Sequence, residues 1–323
     1  MSGFTVGSMT SYVIENENKI YSAAILGADT ITKGCVTIQA GIKDSEQINL
    51  LANVANVQAG GDCAFNASGS TTFTQRKLTV SKLKWQDTWC PEDLEAKYTS
   101  KRLIAGSNYE ALPFEKEIMD LVVANINAQV EQQIWQGDTT NHVFSSHLKQ
   151  FNGLVQLIDA ASATTVNATT TAAVTTANII AIMDEIYTLI PTQLIGHPTK
   201  KMCACMGWDT FRKLILAEKN TNAYHYGNVG DAAAKGEYTM PGSGLMVKAV
   251  NGLNNITGTT AAYKDRIICT YPENLFVGVD LANEYEEAKV WHSLDDQNIK
   301  GSIRWKMGVQ IAFPSEIVQY KNT

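Results

Sequence analysis

The longest regular pattern in the sequence is a run of apolar residues that recur every four positions between residues 113 and 136. A period close to 3.6 is typical of a helix with one apolar face. Pro113 suits the first helical position, and Gly137 suits the position after the last turn. The predicted helix is about 36 Å long at a rise of about 1.5 Å per residue. A helix of this length is a dominant element in the fold of a 323-residue chain.

Two segments before this helix are predicted to extend away from a compact body. Residues 1–59 contain short apolar pieces and one predicted short helix at 45–57, which together are typical of an arm that packs on something else. Residues 60–106 contain two alternating segments, 71–84 and 85–98. Alternation of this kind predicts an extended hairpin, and its length implies that it lies against a neighbour.

The rest of the chain mixes helix and strand signals. Short helices are predicted after Thr176, ending at Pro191, and at 209–218, with strands at 201–206 and 245–250 beside them. Five strand signals follow, the last long pair being joined by a polar turn at 295–298. Helices that flank a group of strands predict an α+β fold. The five C-terminal strand signals cover residues 266–270, 275–279, 285–292, 302–313 and 317–320.

The composition favours a chain that is buried against other chains. Hydrophobic residues make up 45% and charged residues only 18%, which is low for a monomer surrounded by solvent. The net charge of -6 argues against a protein whose main role is to bind nucleic-acid phosphates, because that needs clustered lysine and arginine. The first residues lack a signal-peptide pattern, and no apolar run approaches the roughly 20 residues that span a bilayer, so we expect neither export nor a membrane partner.

The sequence offers no pattern for a catalytic, cofactor or metal site. Gly242-Ser243-Gly244 lacks the first glycine of a nucleophile elbow, where Pro241 stands instead. The glycine-containing stretch 227–236 lacks the Gly-Lys-Ser/Thr ending of a phosphate-binding loop. The five histidines match no ligand spacing, and the six cysteines are interpreted as free thiols, with those of Cys-Ala-Cys at 203–205 in the core.

Several phrases, in their order along the chain, resemble the major capsid proteins of tailed bacteriophages that share the Hong Kong 97 fold. They are Ile134-Trp135-Gln136-Gly137-Asp138, Phe151-Asn152-Gly153-Leu154, Ile303-Arg304-Trp305-Lys306-Met307-Gly308-Val309-Gln310 and Pro314-Ser315-Glu316-Ile317-Val318. The resemblance covers nearly the whole chain. It implies an N-terminal arm at 1–59, an extended loop hairpin at 60–106, a peripheral domain with the spine helix at 107–150, an axial domain at 151–280, peripheral strands at 281–313 and a C-terminal return to the axial domain at 314–323.

The resemblance also implies a function and partners. Copies of the chain would assemble as hexamers and pentamers in the host cytoplasm into the icosahedral head of the virion. That head would enclose double-stranded DNA through weak nonspecific contacts, with portal and scaffolding proteins as further partners. No catalytic role is implied. The candidate contact residues are Phe4 and Tyr12 on the arm, Phe73, Leu78, Trp85 and Trp89 on the loop, Tyr224, His225 and Tyr226 at the axial tip, and Asp295, Asp296 and Arg304 near the three-fold axes.

Three alternatives stay open from the sequence. An encapsulin-like compartment shares the fold but holds cargo enzymes, and the long arm favours the phage interpretation over it. A monomeric enzyme or sugar-binding protein with an α+β core is disfavoured by the missing site chemistry. Another virion component, such as a tail or decoration protein, is disfavoured by the long central helix.

Overall fold

The fold was analysed on a computed structural model, which describes residues 28–54, 56–58, 68–90, 114–140, 146–221, 235–255, 263–280, 288–295 and 297–322. In chain order, its helices are α1 (Asp29–Thr32), α2 (Phe114–Gln136), α3 (Leu154–Ala160), α4 (Ile179–Leu189), α5 (Thr192–Ile195) and α6 (Trp208–Asn220). Its strands are β1 (Thr37–Ala40), β2 (Ser45–Val54), β3 (Ser70–Thr79), β4 (Ser81–Trp89), β5 (Val166–Asn167), β6 (Cys203–Gly207), β7 (Glu237–Thr239), β8 (Met246–Val250), β9 (Ile267–Thr270), β10 (Leu275–Val279), β11 (Ala288–His292), β12 (Ile299–Ile311) and β13 (Val318–Tyr320).

The first sheet is built around the long strand β12. Strands β10 and β11 pair with one edge of β12 and β4 pairs with the other, all antiparallel, while β1 runs parallel to β10. Side chains alternate between the two faces of a strand, so Ile303, Trp305 and Met307 lie on the buried face and Arg304 lies on the exposed one. The buried face packs with Val130 and other apolar residues of α2 in one hydrophobic core.

The second sheet has six strands in the order β5-β13-β9-β6-β8-β7. Every residue of its central strand β6 is buried, which agrees with the predicted core position of Cys203 and Cys205. Helices α4 and α6 contribute Met183 and Phe211 to the core beside this sheet. This unit is the α+β arrangement that the middle of the sequence predicts.

Strands β2 and β3 form a two-stranded ribbon that belongs to neither sheet, with Ser45 opposite Thr79 and Val54 opposite Ser70. Among the ribbon residues whose side chains are described, Ile48, Leu50 and Leu78 pack in a small core of their own. The first six residues of β3 are exposed. A two-stranded ribbon is marginally stable by itself in water, so its outer part needs a further contact.

Most element predictions are confirmed, including α2, which begins within one residue of the predicted start. The short helix predicted at 45–57 is wrong, because that segment is strand β2. Its apolar residues follow a period of two: Ile48 and Leu50 are buried and Leu51 is exposed.

The hairpin predicted between 71–84 and 85–98 is also wrong in its pairing. Strand β3 pairs with β2, and β4 pairs with β12 in the first sheet. The helix α4 has Asn178 at its N-cap position in place of the predicted Thr176, and no side chain caps it. The polar turn between the last two long strands is confirmed, since β11 and β12 pair on either side of it.

Candidate functional site

Two of the phrases quoted above meet at the C-terminal end of α2. The backbone N–H of Gly153 donates to the carbonyl oxygen of Gly137 at 2.7 Å. A Cβ on Gly153 would lie 2.6 Å from the carbonyl oxygen of Trp135, and one on Gly137 would lie 2.4 Å from that of Phe151. Both glycines are therefore required by close backbone approach, which fixes α3 against the end of α2.

A buried polar network joins α2 to the N-terminal segment and to the second sheet. The Glu131 carboxylate accepts hydrogen bonds from the Thr30 N–H at 3.0 Å, from the Thr30 hydroxyl at 2.5 Å and from the Gly252 N–H at 3.0 Å. The Trp135 indole N–H donates to the Thr30 hydroxyl oxygen at 2.5 Å. Burial raises the pKa of Glu131, although its bonds to Thr30 and Gly252 act in the opposite direction. This network is a structural joint between three parts of the chain.

The third phrase lies in β12, where two glycines allow other elements to approach. A Cβ on Gly308 would lie 2.0 Å from the carbonyl oxygen of Thr79, at the point where the chain passes from β3 to β4. A Cβ on Gly301 would meet the rings of Trp85 and Trp89, whose centroids are 5.9 Å apart. The glycines of β12 are therefore required where the base of the ribbon crosses the first sheet and where the two tryptophans pack on it.

Buried ion pairs hold the two sheets to their surroundings. The fully buried Arg266 binds Asp159 and donates to the Gln319 side-chain oxygen at 2.7 Å. Lys306 lies 2.8 Å from the Asp280 carboxylate. These charges are paired inside the fold, so they are structural residues and not free groups for chemistry.

An exposed apolar pair marks the outer part of the ribbon. Phe73 is 76% exposed and lies directly opposite Leu51, which is 60% exposed. Paired apolar side chains on an exposed strand surface are typical of an interaction site. The position predicted for Phe73 is consistent with a contact to another molecule.

The other predicted contact residues are distributed differently. Leu78 was predicted to contact a neighbour, and this is wrong, because it is fully buried at the base of its own ribbon. Trp85 and Trp89 are half-buried against the core of their own chain. Asp295 and Arg304 are exposed. Six predicted residues lie outside the described part: Phe4, Tyr12, Tyr224, His225, Tyr226 and Asp296.

Sequence reasoning missed one exposed apolar site at the end of the first sheet. Trp291 and Leu294, beside the β11–β12 turn, are 41% and 87% exposed. The sequence shows only that Val290 and Trp291 are neighbours in a predicted strand and so face opposite ways; the structure shows that Val290 is the buried one. This end of the sheet is a second candidate contact surface.

A groove of about 920 Å³ lies between α2 and the first sheet. Gln133 and Trp305 line it and are both almost fully buried. Among the described residues, neither the Gln133 side-chain oxygen nor the Trp305 indole N–H has a hydrogen-bond partner. The groove thus contains one unused acceptor and one unused donor.

The described residues contain neither a metal-ligand cluster nor a membrane-spanning helix. No group of three or more His, Cys, Asp or Glu side chains in that part of the chain has the arrangement of a metal site. None of its helices combines the length and apolar character needed to cross a bilayer.

Neither a protein-family model nor a curated protein matches the chain, but solved structures do. The chain is similar to one in the satellite phage P4 procapsid including size determination (Sid) protein, with a TM-score of 0.60 and 10% identity over 100% of this chain and 92% of that one. The chain is also similar to the capsid of Myoviridae phage XM1, with a TM-score of 0.59 and 11% identity over 91% of this chain and 92% of that one. A third similar structure is that of Gordonia phage Cozz, with a TM-score of 0.58 and 12% identity over 92% of this chain and 87% of that one. The chain therefore has the α+β fold of these phage structures over nearly its full length.

Proposed function

We propose that this chain is the major capsid protein of a tailed phage, and that its copies form hexamers and pentamers of an icosahedral head that encloses double-stranded DNA. The observation that carries the proposal is the likeness to phage capsid chains across almost the whole of both partners. A fold by itself does not determine function. The second support is the set of exposed apolar surfaces, which suit a subunit that packs against other copies.

The parts of the chain are assigned by their position in the fold. Helix α2 and the first sheet form the peripheral domain, and the second sheet with α4 and α6 forms the axial domain. The β2–β3 ribbon is the extended loop, so this part begins at Ser45, earlier than residue 60, because β2 pairs with β3. The β11–β12 turn lies near the three-fold axes.

Assembly in this scheme comes from several modest contacts per copy. The Leu51–Phe73 pair and the Trp291–Leu294 end are two exposed apolar sites, among those of the described residues, that would be buried against neighbours. Each side chain of this size contributes about 1.5–3 kcal/mol when it is fully buried. Because every copy makes these contacts repeatedly around a closed shell, weak contacts add up to a stable particle.

Electron microscopy of the purified full-length protein, with and without a candidate scaffolding protein, tests the proposal. We expect closed shells, or rings of five and six copies. The double variant Leu51→Ser, Phe73→Ser should lose them, whereas Leu216→Ser, on the exposed face of α6, is the matched control. Shells that protect double-stranded DNA from nuclease would support a genome container, and shells filled only with protein would contradict that part. A monomer under every condition would overturn the proposal.

A further inference from the structure

Three cysteines meet between the second sheet and the N-terminal segment. Cys203 and Cys205 are two residues apart on the buried strand β6, so their side chains lie on the same face of the sheet. Both belong to the hydrophobic core that also contains Cys35, whereas Cys269 lies in the core on the opposite face. Buried thiols are normally inert, so a reactive role needs support from their surroundings.

A lysine of the second sheet holds the segment that carries Cys35. Lys248 of β8 is the partner of Cys205 in the strand register, so its side chain lies on the same face. The Lys248 ammonium group donates to the carbonyl oxygen of Lys33 at 2.5 Å and to that of Gly34 at 3.4 Å. Cys35 follows directly in the chain. The Cys205 thiol forms hydrogen bonds with one thiol of its own strand and with the thiol of Cys35.

Of these three thiols, that of Cys203 meets a cavity. Cys203 and Lys248 line a pocket of about 600 Å³, which is within the range of small-molecule sites. The pKa of the Cys203 thiol is lowered by the hydrogen bond from Cys205 and by the charge of Lys248. Burial and the charge of Glu273 act in the opposite direction. Because the thiolate is the nucleophile, a thiol with a lowered pKa beside a cation and a cavity is suited to react with a small oxidant.

The spacing of the thiols determines which disulfide is stable. Two residues on one face of a strand are about 6.6–6.8 Å apart, which is at the upper limit of the Cα separation in disulfides. A disulfide between Cys203 and Cys205 is therefore strained, and strained disulfides exchange easily. Cys35 belongs to a different segment, so this strand spacing does not limit its approach to Cys205. The stable product thus joins the two segments.

We infer that Cys203, Cys205 and Cys35 form a thiol relay, which a hydroperoxide oxidises to a disulfide between Cys35 and Cys205. The Cys203 thiolate attacks the terminal peroxide oxygen, the O–O bond breaks, and the leaving alkoxide takes up the thiol proton, so Cys203 becomes a sulfenic acid. The Cys205 thiol attacks the Cys203 sulfur, and water leaves as the S–S bond forms. The Cys35 thiol then attacks the Cys205 sulfur and releases the Cys203 thiol, whose lowered pKa makes it a good leaving group. In total, two thiols lose two electrons and two protons, and the hydroperoxide is reduced to an alcohol and water.

The disulfide would tie residues 33–35 covalently to the central strand of the second sheet. A bond between segments so far apart in the sequence stabilises a fold, because it restricts the unfolded chain. Thiols stay reduced in a cytoplasm and oxidise outside it, so the bond would form after a particle leaves the host cell. This timing rests on the proposed function, whereas the relay itself requires only the folded chain.

Peptide mapping of the unassembled full-length protein tests the relay. The protein is treated with hydrogen peroxide, its free thiols are alkylated in denaturant, and the digest is analysed by mass spectrometry without reduction. We expect one peptide pair joined through Cys35 and Cys205. The internal control is Cys269, a buried thiol on the other face of the same sheet, which should be recovered as a free thiol. Another pairing among the three thiols, a disulfide that includes Cys269, or a fully reduced cluster would overturn the inference.

Serine variants separate the steps. Cys205→Ser should stop at the Cys203 sulfenic acid, which dimedone captures, and Cys35→Ser should stop at the disulfide between Cys203 and Cys205. Cys203→Ser should slow formation of the final disulfide at least about tenfold, because a thiol without the lowered pKa must then react with the peroxide.

The matched control is Cys269→Ser, which should leave the rate unchanged. Equal melting temperatures of the reduced variants confirm that each one folds, and the mapping of the unmodified protein decides the pairing even if one of them does not. Equal rates for Cys203→Ser and Cys269→Ser would overturn the role of Cys203. None of these results depends on particles, so a failure here leaves the proposed function to its own test by electron microscopy.

Discussion

Replacement of Gly153 by alanine is expected to destabilise the protein strongly, although it adds only one methyl group. The new Cβ would lie 2.6 Å from the Trp135 carbonyl oxygen, 2.7 Å from the Gly137 nitrogen and 2.8 Å from the Gln133 carbonyl oxygen. All three atoms belong to the backbone, so no side chain can turn aside. An extra methyl group in a packed core costs typically 1–3 kcal/mol, and the rigid surroundings place this case at or above about 3 kcal/mol.

The matched control is Gly196→Ala at the end of α5. No atom lies within 4 Å of a Cβ at Gly196, and its φ of -93° is accessible to alanine. This change should be neutral or stabilise by up to about 1 kcal/mol, because alanine reduces the freedom of the unfolded chain. Thermal unfolding of the unassembled protein measures both variants, and Gly153→Ala should lower the melting temperature by at least about 6 °C at roughly 2 °C per kcal/mol. Equal melting temperatures for the two variants would refute the close-packing argument.

Three further outcomes follow from the same contacts. Leu78→Ala should lower the free energy of unfolding by about 2–5 kcal/mol, because it removes a buried side chain. Phe73→Ser should change that free energy by less than about 0.5 kcal/mol and should act only on assembly. Urea denaturation of the two variants measures the difference. Arg266→Met should cost about 3 kcal/mol, because it removes the buried guanidinium from both Asp159 and Gln319 and, of the described residues, leaves only Lys321 beside the Asp159 carboxylate; an unchanged denaturation midpoint would contradict that. The pKa of Glu131 is raised in the folded state above its ordinary value of 4.5, so its contribution to stability is full below about pH 4.5 and is lost as the pH rises through the raised pKa. Stability against pH should therefore fall less steeply above pH 4.5 in Glu131→Gln than in the unmodified protein.

The sequence predicts the long helix well because its signal is local. One apolar residue in every four, with Gly137 at the end, needs no knowledge of the rest of the chain. The same applies to β10, which matches its predicted bounds of 275–279. Segments whose own pattern is strong were predicted to within a few residues.

The pairing of strands could not be predicted in the same way. Strand β4 pairs with β12, and Lys82 and Lys306 are opposite one another although they are more than two hundred positions apart in the sequence. Neither segment carries a sequence pattern that identifies the strand it pairs with. The sequence therefore suggested a local hairpin between residues 71–84 and 85–98 instead. The fate of Leu78 follows from the same limit, because its burial depends on Ile42 and Ala312, which only the folded chain brings together.

The candidate functional residues were likewise predictable only in part. The phrases around Gly137 and Gly153 were noticed only as a resemblance, and their physical reason is a backbone contact that no pattern in the sequence reveals. The contact predicted for Phe73 with a neighbouring subunit stays a prediction, and its cross-strand partner Leu51 was wrongly assigned to a helix. The unused groups of Gln133 and Trp305 carry no signal in the sequence at all, because burial and orphaned hydrogen-bonding capacity are properties of the fold.

Light scattering of the full-length protein during size exclusion tests the central claim most directly, because it measures particle mass without any assumption about shape. A shell subunit should elute, alone or with its scaffold, as a particle whose mass is a large multiple of 35.3 kDa, and cryo-electron microscopy of that fraction should show five-fold and six-fold rings. A single species of 35.3 kDa under all conditions would contradict the claim that this chain builds a closed shell.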